Sequence, residues 1–161
     1  MTSVVILLGT NLGNRLLNLK KAELEISQRI GVALLRSKIY QTKPWGNTEQ
    51  DDFLNQVLVI QSNKNANELL STLLSIELEM GRKRMKHWEP RIIDLDILYF
   101  GDEIIETKDL KIPHPFIHER RFTLIPLVEI LPDLIHPVFK KTNYDLLLQT
   151  TDHSSVIIYE H

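Results

Sequence analysis

The sequence contains no cysteine, so it can form neither a disulfide bond nor a metal site built on thiolates. Its formal net charge is only -2, which gives no global reason to expect binding to nucleic acid or to an anionic membrane. The sequence has no apolar run that could cross a bilayer, and its first residues lack the pattern of a signal peptide. These absences favour a cytoplasmic protein with neither a membrane nor a nucleic acid as partner.

Three familiar ligand-binding motifs are also missing. The chain has no G-x-x-x-x-G-K-[ST] phosphate loop, no G-x-G-x-x-G dinucleotide motif and no H-E-x-x-H zinc helix. If the protein uses ATP, it is therefore not a P-loop protein. Of its 161 residues, 43% are hydrophobic and 25% are charged, which predicts one globular domain over residues 1–161.

Hydrophobic patterning predicts the order strand, helix, strand, strand, helix, strand, with a polar loop at residues 41–52 between the second and third strands. Strands are expected at residues 3–8, 32–40, 53–61, 91–100 and, as an edge segment, 156–159. Helices are expected near residues 19–30, 65–81, 116–121, 124–130 and 144–149. This order favours an α+β sandwich, with an antiparallel or mixed sheet under helices.

Turn and cap residues set the expected boundaries of these elements. Gly31 is expected to cap the first helix in a left-handed conformation, and Gly81 to end the second. Asn65 and Glu68 resemble a capping box at the start of the second helix. The chain is expected to turn at residues 101–102 and to form a hairpin with residues 103–105.

Two carboxylates in the strand expected at residues 91–100 are the first sign of chemistry. Side chains alternate along a strand, so Asp94 and Asp96 share one face, whereas Ile93, Leu95, Ile97 and Tyr99 share the other. Paired carboxylates among aliphatic residues are costly unless a cation neutralises them, and oxygen ligands of this kind suit Mg²⁺. A strand face that is simply exposed to water explains the same pair equally well.

Positive charge is concentrated after the second helix. Five of the eight arginines lie between residues 82 and 121, namely Arg82, Arg84, Arg91, Arg120 and Arg121. Guanidinium groups match phosphate oxygens, and phosphoryl transfer depends mainly on positive charge at the transferred group. His114, between two prolines, is a further candidate donor to phosphate. Taken alone, each arginine could belong to a solvated basic loop, and His114 could be a structural histidine. The combination of these residues with two carboxylates favours phosphoryl transfer.

Aromatic side chains suggest where a flat ligand would bind. Phe53 and Asn55 share a face of the third strand, and Trp45, Trp88 and Phe122 lie at loops or at the ends of elements. Such rings usually belong to the core or its rim, but they can also stack on a heterocycle whose edge is read by an amide.

In four blocks, in the same order, the chain resembles the 6-hydroxymethyl-7,8-dihydropterin pyrophosphokinases of folate biosynthesis. The blocks are LLGTNLGNR at 7–15, YQTKPWG with FLNQV at 40–57, ELEMGRKR with WEPRIIDLDILYFG at 77–101, and IPHPFIHERRF with PLVEILPDLIHP at 112–137. The resemblance implies a ferredoxin-like three-layer α+β sandwich, with a mostly antiparallel sheet flanked by helices. It also implies a monomer that transfers pyrophosphate from ATP to the pterin alcohol and releases AMP.

The resemblance further implies roles for individual residues. Asp94 and Asp96 match ligands of two Mg²⁺ ions. The positions that match the triphosphate or nucleoside site are Arg82 and Arg91, taken as catalytic, with Glu77, Arg84, His114 and Arg120, taken as ATP-binding. The positions that match the pterin site are Thr42, Trp45, Phe53, Asn55, Trp88 and Phe122. Glu89 stands where the family usually has glycine.

Two other functions remain open for the residues taken by themselves. A non-catalytic module that binds a small ligand on its sheet would explain the fold, but not the carboxylates and arginines together. A metal-dependent phosphohydrolase would use similar carboxylates, yet it normally needs further His or Asp ligands.

Overall fold

The computed structural model describes residues 1–44, 49–81 and 92–161. Its centre is an antiparallel six-stranded sheet in the order β5-β1-β4-β3-β8, in which β2 also pairs with β4. The strands of this sheet are β1 (Thr2–Thr10), β2 (Ala33–Arg36), β3 (Tyr40–Thr42), β4 (Phe53–Ser62), β5 (Asp94–Phe100) and β8 (Ile157–Ile158). A separate two-stranded ribbon pairs β6 (Ile105–Glu106) with β7 (Lys111–Ile112).

Helices cover both faces of the central sheet. They are α1 (Arg15–Arg29), α2 (Ala66–Glu79), α3 (Arg121–Ile130) and α4 (Asn143–Gln149), with a short 3₁₀ turn at Ile117–Glu119 before α3. The first core packs α1 and α2 on one face through residues such as Val4, Ile6, Leu8, Leu19, Ile26, Leu69 and Leu73. The second core packs α3 and α4 on the other face through Val5, Leu7, Val57, Val59, Leu124, Leu127 and Leu146. The predicted three-layer α+β sandwich is confirmed.

The α2 helix begins and ends at the residues that the sequence indicated. The side chain of Asn65 accepts a hydrogen bond from the Glu68 N–H at 2.9 Å and donates its own amide to the Glu68 carboxylate. Gly81 follows the last turn with a φ of 95°, a left-handed conformation that glycine adopts without strain.

The expected left-handed cap at Gly31 was wrong, because this residue does not have a positive φ. A Cβ atom at Gly31 would lie 2.2 Å from the main-chain oxygen of Gln61. Glycine is therefore needed here because the end of α1 passes close to the backbone of β4.

The single strand expected at residues 32–40 is split into β2 and β3. Ser37 interrupts it, since its hydroxyl accepts a hydrogen bond from the Val57 N–H at 2.9 Å. The Ser37 N–H meanwhile donates to the Val57 carbonyl at 2.9 Å. A side-chain acceptor thus replaces a main-chain ladder partner and lets the chain change direction over β4.

The β5 strand departs from the expected alternation. Its pairing with β1 shifts between Val5 and Ile6, where Val5 lies opposite Tyr99 and Ile6 opposite Ile97. This β-bulge leaves Leu98 as an extra residue and reverses the facing of the residues after it. Tyr99 therefore packs in the second core, where its hydroxyl donates to Oδ1 of Asn143 at 2.6 Å, and not with Leu95 and Ile97.

The expected hairpin at residues 103–105 was also wrong. Gly101 turns the chain with a φ of 54°, but β6 then pairs with β7 and not with β5. The α3 helix begins at Arg121, before the expected position, whereas α4 and the edge strand β8 lie where they were expected. Within residues 1–44, 49–81 and 92–161, the helices are all too short to cross a membrane.

Candidate active site

One row of residues crosses the sheet on the face that carries α3. Gly9 lies opposite Asp94 on one side and opposite Asn55 on the other, and Asn55 in turn lies opposite Tyr40. Directly opposed residues of antiparallel strands point to the same face. Asp96 follows on this face opposite Leu7, so the two carboxylates point the same way, as the sequence predicted.

The Asn55 amide is held in place at the middle of this row. Its Nδ2 donates to Oγ1 of Thr42 at 3.1 Å, and both residues are buried. A Cβ at Gly9 would lie 3.0 Å from Oδ1 of Asn55 and 4.0 Å from Cδ1 of Phe53. Thr42, Phe53 and Asn55 therefore lie together around a strand position that has no side chain.

Gly9 is a member of this row that the sequence pattern did not reveal. The first strand was expected to stop before it, yet β1 continues through Gly9 to Thr10. A glycine that directly follows a run of β-branched and aliphatic residues is a signal for close approach to another group, as well as for a turn. Here a Cβ would press on the Asn55 amide, so glycine lets that amide lie close to the β1 backbone.

Arg120 lies between two rings at the start of α3. Its guanidinium carbon is 4.8 Å from the ring centroid of Phe116 and 5.7 Å from that of Phe122. Burial lowers the pKa of Arg120, while Asp96, Glu119 and Asp94 act in the opposite direction. Arg120 is therefore close enough to both aspartates for their charges to act on it, and it lies beside Phe122.

His114 lies close to Arg120 in a neutral form. Its main-chain N–H donates to the Leu98 carbonyl at 3.0 Å, and its Nδ1 accepts from the Phe116 N–H at 3.1 Å. Burial, with a further contribution from Arg120, lowers the pKa of His114 to about 4. Because Nδ1 is an acceptor, Nε2 carries the proton of the neutral ring and is available as a donor.

Asp94 and Asp96 have the chemistry of a magnesium site. Both are half-buried, they lie two residues apart on one face of β5, and their side chains supply only hard oxygen donors. Mg²⁺ characteristically takes one or two protein carboxylates and completes its shell with water and substrate phosphate oxygens. The arrangement therefore fits a metal held partly by the protein and partly by a phosphate substrate.

Comparisons with known proteins identify the family. The model of the 7,8-dihydro-6-hydroxymethylpterin-pyrophosphokinase (HPPK) family matches residues 5–132. The chain belongs to this family. It is 41% identical to the 2-amino-4-hydroxy-6-hydroxymethyldihydropteridine pyrophosphokinase of Aquifex aeolicus over 141 residues, which are 88% of each chain. It is 38% identical to the protein of the same name from Haemophilus influenzae, over 97% of this chain and 98% of that one.

The fold of the HPPK family also appears in the solved structures. A crystal structure of Plasmodium falciparum HPPK-DHPS with pteroate matches with a TM-score of 0.74 at 17% identity, which supports the fold alone. The match covers 92% of this chain, but the chain spans only 42% of the Plasmodium one. With the family match, these findings confirm the predicted fold and the predicted pyrophosphokinase activity in folate biosynthesis.

The structure places Glu77 differently from the other expected HPPK site residues. Its side chain is 3% exposed, and its Oε2 accepts a hydrogen bond from the Leu95 N–H at 2.8 Å. Glu77 thus contacts the backbone of the strand that carries both aspartates. A contact of Glu77 with a nucleoside stays a prediction from the resemblance.

Several expected site residues lie outside the described residues. They are Trp45, Arg82, Arg84, Trp88 and Arg91, and Glu89 lies outside as well. The structure brings Thr42, Phe53, Asn55, Asp94 and Asp96 to one face of the sheet. Arg120, with His114 and Phe122 near it, lies close to the two aspartates. These eight residues are called the cleft below.

Proposed function

We propose that this cleft binds ATP beside 6-hydroxymethyl-7,8-dihydropterin and transfers the β,γ-pyrophosphoryl group to the pterin hydroxymethyl oxygen. The row from Asp94 through Gly9 to Asn55 is the observation that carries the proposal. It sets the two carboxylates next to a floor formed by Gly9, which has no side chain, and by the fixed Asn55 amide. These are the two halves that a reaction between a triphosphate and a flat heterocycle requires.

The half around Asn55 binds the pterin. The space above Gly9 admits a flat ring, and the amide that Thr42 fixes reads the ring's hydrogen-bonding edge. Phe53 and Phe122 offer their faces to the ring, and Trp45 and Trp88 are proposed to complete the site. A pre-oriented amide discriminates well, because a ligand that lacks the matching edge leaves it unpaired.

The half around the aspartates binds the triphosphate. Asp94 and Asp96 would hold Mg²⁺, proposed as two ions, which when bound neutralises phosphate charge and lowers the pKa of an oxygen bound to it. Arg120 places a guanidinium beside the same carboxylates, and His114 offers Nε2–H as a neutral donor. Glu77 and Arg84 are proposed on the ATP side.

The step itself forms one bond and breaks one. The pterin oxygen bonds to the β-phosphorus while the bond from that phosphorus to the α,β-bridging oxygen breaks, so AMP leaves with the bridging electrons. The proton of the hydroxymethyl group passes to solvent. The proposed contribution of Arg82, Arg91 and Arg120 is to stabilise the charge on the transferring group, which with correct positioning accounts for most of the catalysis in phosphoryl transfer.

The test is the identity of the nucleotide product. Purified protein is incubated with ATP, Mg²⁺ and 6-hydroxymethyl-7,8-dihydropterin, and the nucleotides are separated by chromatography. AMP formed in step with pterin diphosphate, and only when the pterin is present, is the expected result. ADP or free phosphate would indicate a phosphohydrolase instead, and folded protein that binds pterin without turnover would indicate a binding module.

The assembly and location of the protein are separate proposals. A monomer of one domain in the cytoplasm is what the sequence predicts. Size-exclusion chromatography with light scattering tests the first part, and cell fractionation tests the second.

A further inference from the structure

The N-terminal turn of α3 carries two proposed substrate contacts but has no cap of its own. Arg120 occupies the N-cap position, and its side chain makes no capping hydrogen bond. A guanidinium has only donors, so it cannot accept from the free N–H groups at the start of a helix. Helices normally have Ser, Thr, Asp or Asn here, and loss of such a cap costs about 0.5–2 kcal/mol.

Asp152 supplies the missing acceptor from the C-terminal tail, defined here as residues 150–161. Its Oδ2 accepts from the Arg121 N–H at 2.8 Å, and its Oδ1 accepts from the Ser154 N–H at 3.0 Å. Arg121 returns a bond to the tail, since its Nη1 donates to the Ser154 carbonyl at 2.9 Å. The tail and the first turn of α3 are thus joined in both directions.

The charge state of Asp152 agrees with this arrangement. Burial by itself would raise its pKa, but hydrogen bonds from Arg121 and Ser154 outweigh that effect, and the pKa lies below the usual aspartate value. Near neutral pH the cap is therefore a full carboxylate next to the positive end of the helix dipole.

The same tail also joins the pterin side of the cleft. In β8, Ile158 and Ile157 pair with Tyr40 and Gln41 of β3, the strand that ends at Thr42. The Tyr159 N–H donates to the Ile39 carbonyl at 2.8 Å. The tail runs from the helix that carries Arg120 and Phe122 to the strand that carries Thr42, and it lies beyond residue 132, where the family match ends.

We propose that Asp152 is a positioning residue for pterin binding. By capping α3 from the tail, it fixes the backbone from Arg120 to Phe122, so that the guanidinium points into the phosphate half of the cleft and the ring into the pterin half. Arg120 itself can then interact with substrate rather than with the helix. This inference rests on the proposed roles of Arg120 and Phe122.

The first test measures binding. The Kd for 6-hydroxymethyl-7,8-dihydropterin, with a non-hydrolysable ATP analogue present, is determined for wild type, Asp152→Ala and the control Asp133→Asn, which changes an exposed carboxylate. Asp152→Ala should raise the Kd about two- to thirtyfold, the range that corresponds to the loss of a cap, and Asp133→Asn should leave it unchanged. An unchanged Kd for Asp152→Ala would overturn the inference, even if its melting temperature falls.

A double-mutant cycle separates positioning from general stability. If Asp152 acts through the first turn of α3, Asp152→Ala should change the Kd less than about twofold in a Phe122→Ala background. If the two single effects on the Kd multiply in the double variant, Asp152 does not act through the first turn of α3. Should Asp152→Ala not fold, Asp152→Leu keeps the branched shape of the side chain but has no oxygen acceptor, and it is judged by the same two criteria.

Hydrogen exchange tests the contact without reference to catalysis. The N–H groups of Thr123 and Leu124 both donate to the Arg120 carbonyl at 3.0 Å, so together with the Arg121 N–H they report on the first turn. Asp152→Ala should reduce their protection selectively, and unchanged protection would overturn the inference. A wild-type protein that neither binds pterin nor forms AMP would instead overturn the proposed function, and with it the role of Asp152 in binding.

Discussion

Gly9→Ala should weaken pterin binding without weakening the fold. The new Cβ would lie 3.0 Å from Oδ1 of Asn55, closer than an ordinary van der Waals contact, so the amide would have to move by a few tenths of an ångström. That amide is already held to Oγ1 of Thr42 by a 3.1 Å hydrogen bond. The displacement therefore strains the group that reads the ring, and the methyl group occupies part of the floor.

The size of the effect can be worked out from these contacts. Weakening one hydrogen bond of ordinary strength costs about 0.5–1.5 kcal/mol, which corresponds to a rise in the pterin Kd of up to about tenfold. The free energy of unfolding should change by less than about 1 kcal/mol, because strain on the buried Asn55–Thr42 hydrogen bond lowers it while the stiffer unfolded chain raises it. Gly9 lies within β1 and has no positive φ, and replacing such a glycine by alanine stabilises by about 0.4–1 kcal/mol through the unfolded chain.

Gly31→Ala is the matched control, because it makes the same chemical change far from the cleft. Its Cβ would lie 2.2 Å from the main-chain oxygen of Gln61, so it should lower the free energy of unfolding by about 1–3 kcal/mol and leave the pterin Kd unchanged. Urea denaturation gives the first quantity and fluorescence titration the second. If Gly9→Ala binds pterin as tightly as wild type, the proposed floor is wrong.

Three further predictions concern the phosphate half and the buried histidines. Asp96→Ala should keep the fold, since the side chain is half-exposed, but lower AMP formation by about a hundredfold or more; a wild-type rate would contradict the metal role. Arg120→Met should raise the pKa of His114 in an NMR titration, because it removes a nearby positive charge. The pKa should stay below 6.5, since burial is the larger cause of its lowering. An unchanged pKa would contradict the coupling between Arg120 and His114. Burial lowers the pKa of His114 and of His136 to about 4, with smaller contributions from Arg120 and His118 respectively. Between that value and about 6.5 the unfolded chain binds more protons, so the free energy of unfolding should fall as the pH falls through this window, and His136→Gln should flatten the slope in urea denaturation.

The parts of the site that lie on regular strands could be predicted from the sequence. Alternation along β4 places Phe53 and Asn55 on one face, and alternation along β5 does the same for Asp94 and Asp96. Polar residues within otherwise apolar strands mark the face they share, because a side chain's facing depends only on whether its position in a regular strand is odd or even.

Prediction failed where the pattern carries no information about facing. After Asp96 the β5 strand is apolar at every position and buried on both faces, so a one-residue bulge at Leu98 leaves no trace in the alternation and Tyr99 was assigned to the wrong face. The role of Asp152 was hidden for a different reason. Its partner, the Arg121 N–H, is 31 residues away in the chain, and a contact of that kind has no local signature.

The contacts of Glu77 and His114 with β5 also bear on solubility. Strands at the edge of a sheet present main-chain groups that can pair with another molecule and start aggregation. On β5, the Leu95 N–H is bonded to the Glu77 carboxylate and the Leu98 carbonyl to the His114 N–H. The segment that carries both aspartates is thereby kept from serving as a template for a foreign strand, and Glu77→Ala is expected to make the protein more prone to aggregate as well as less stable.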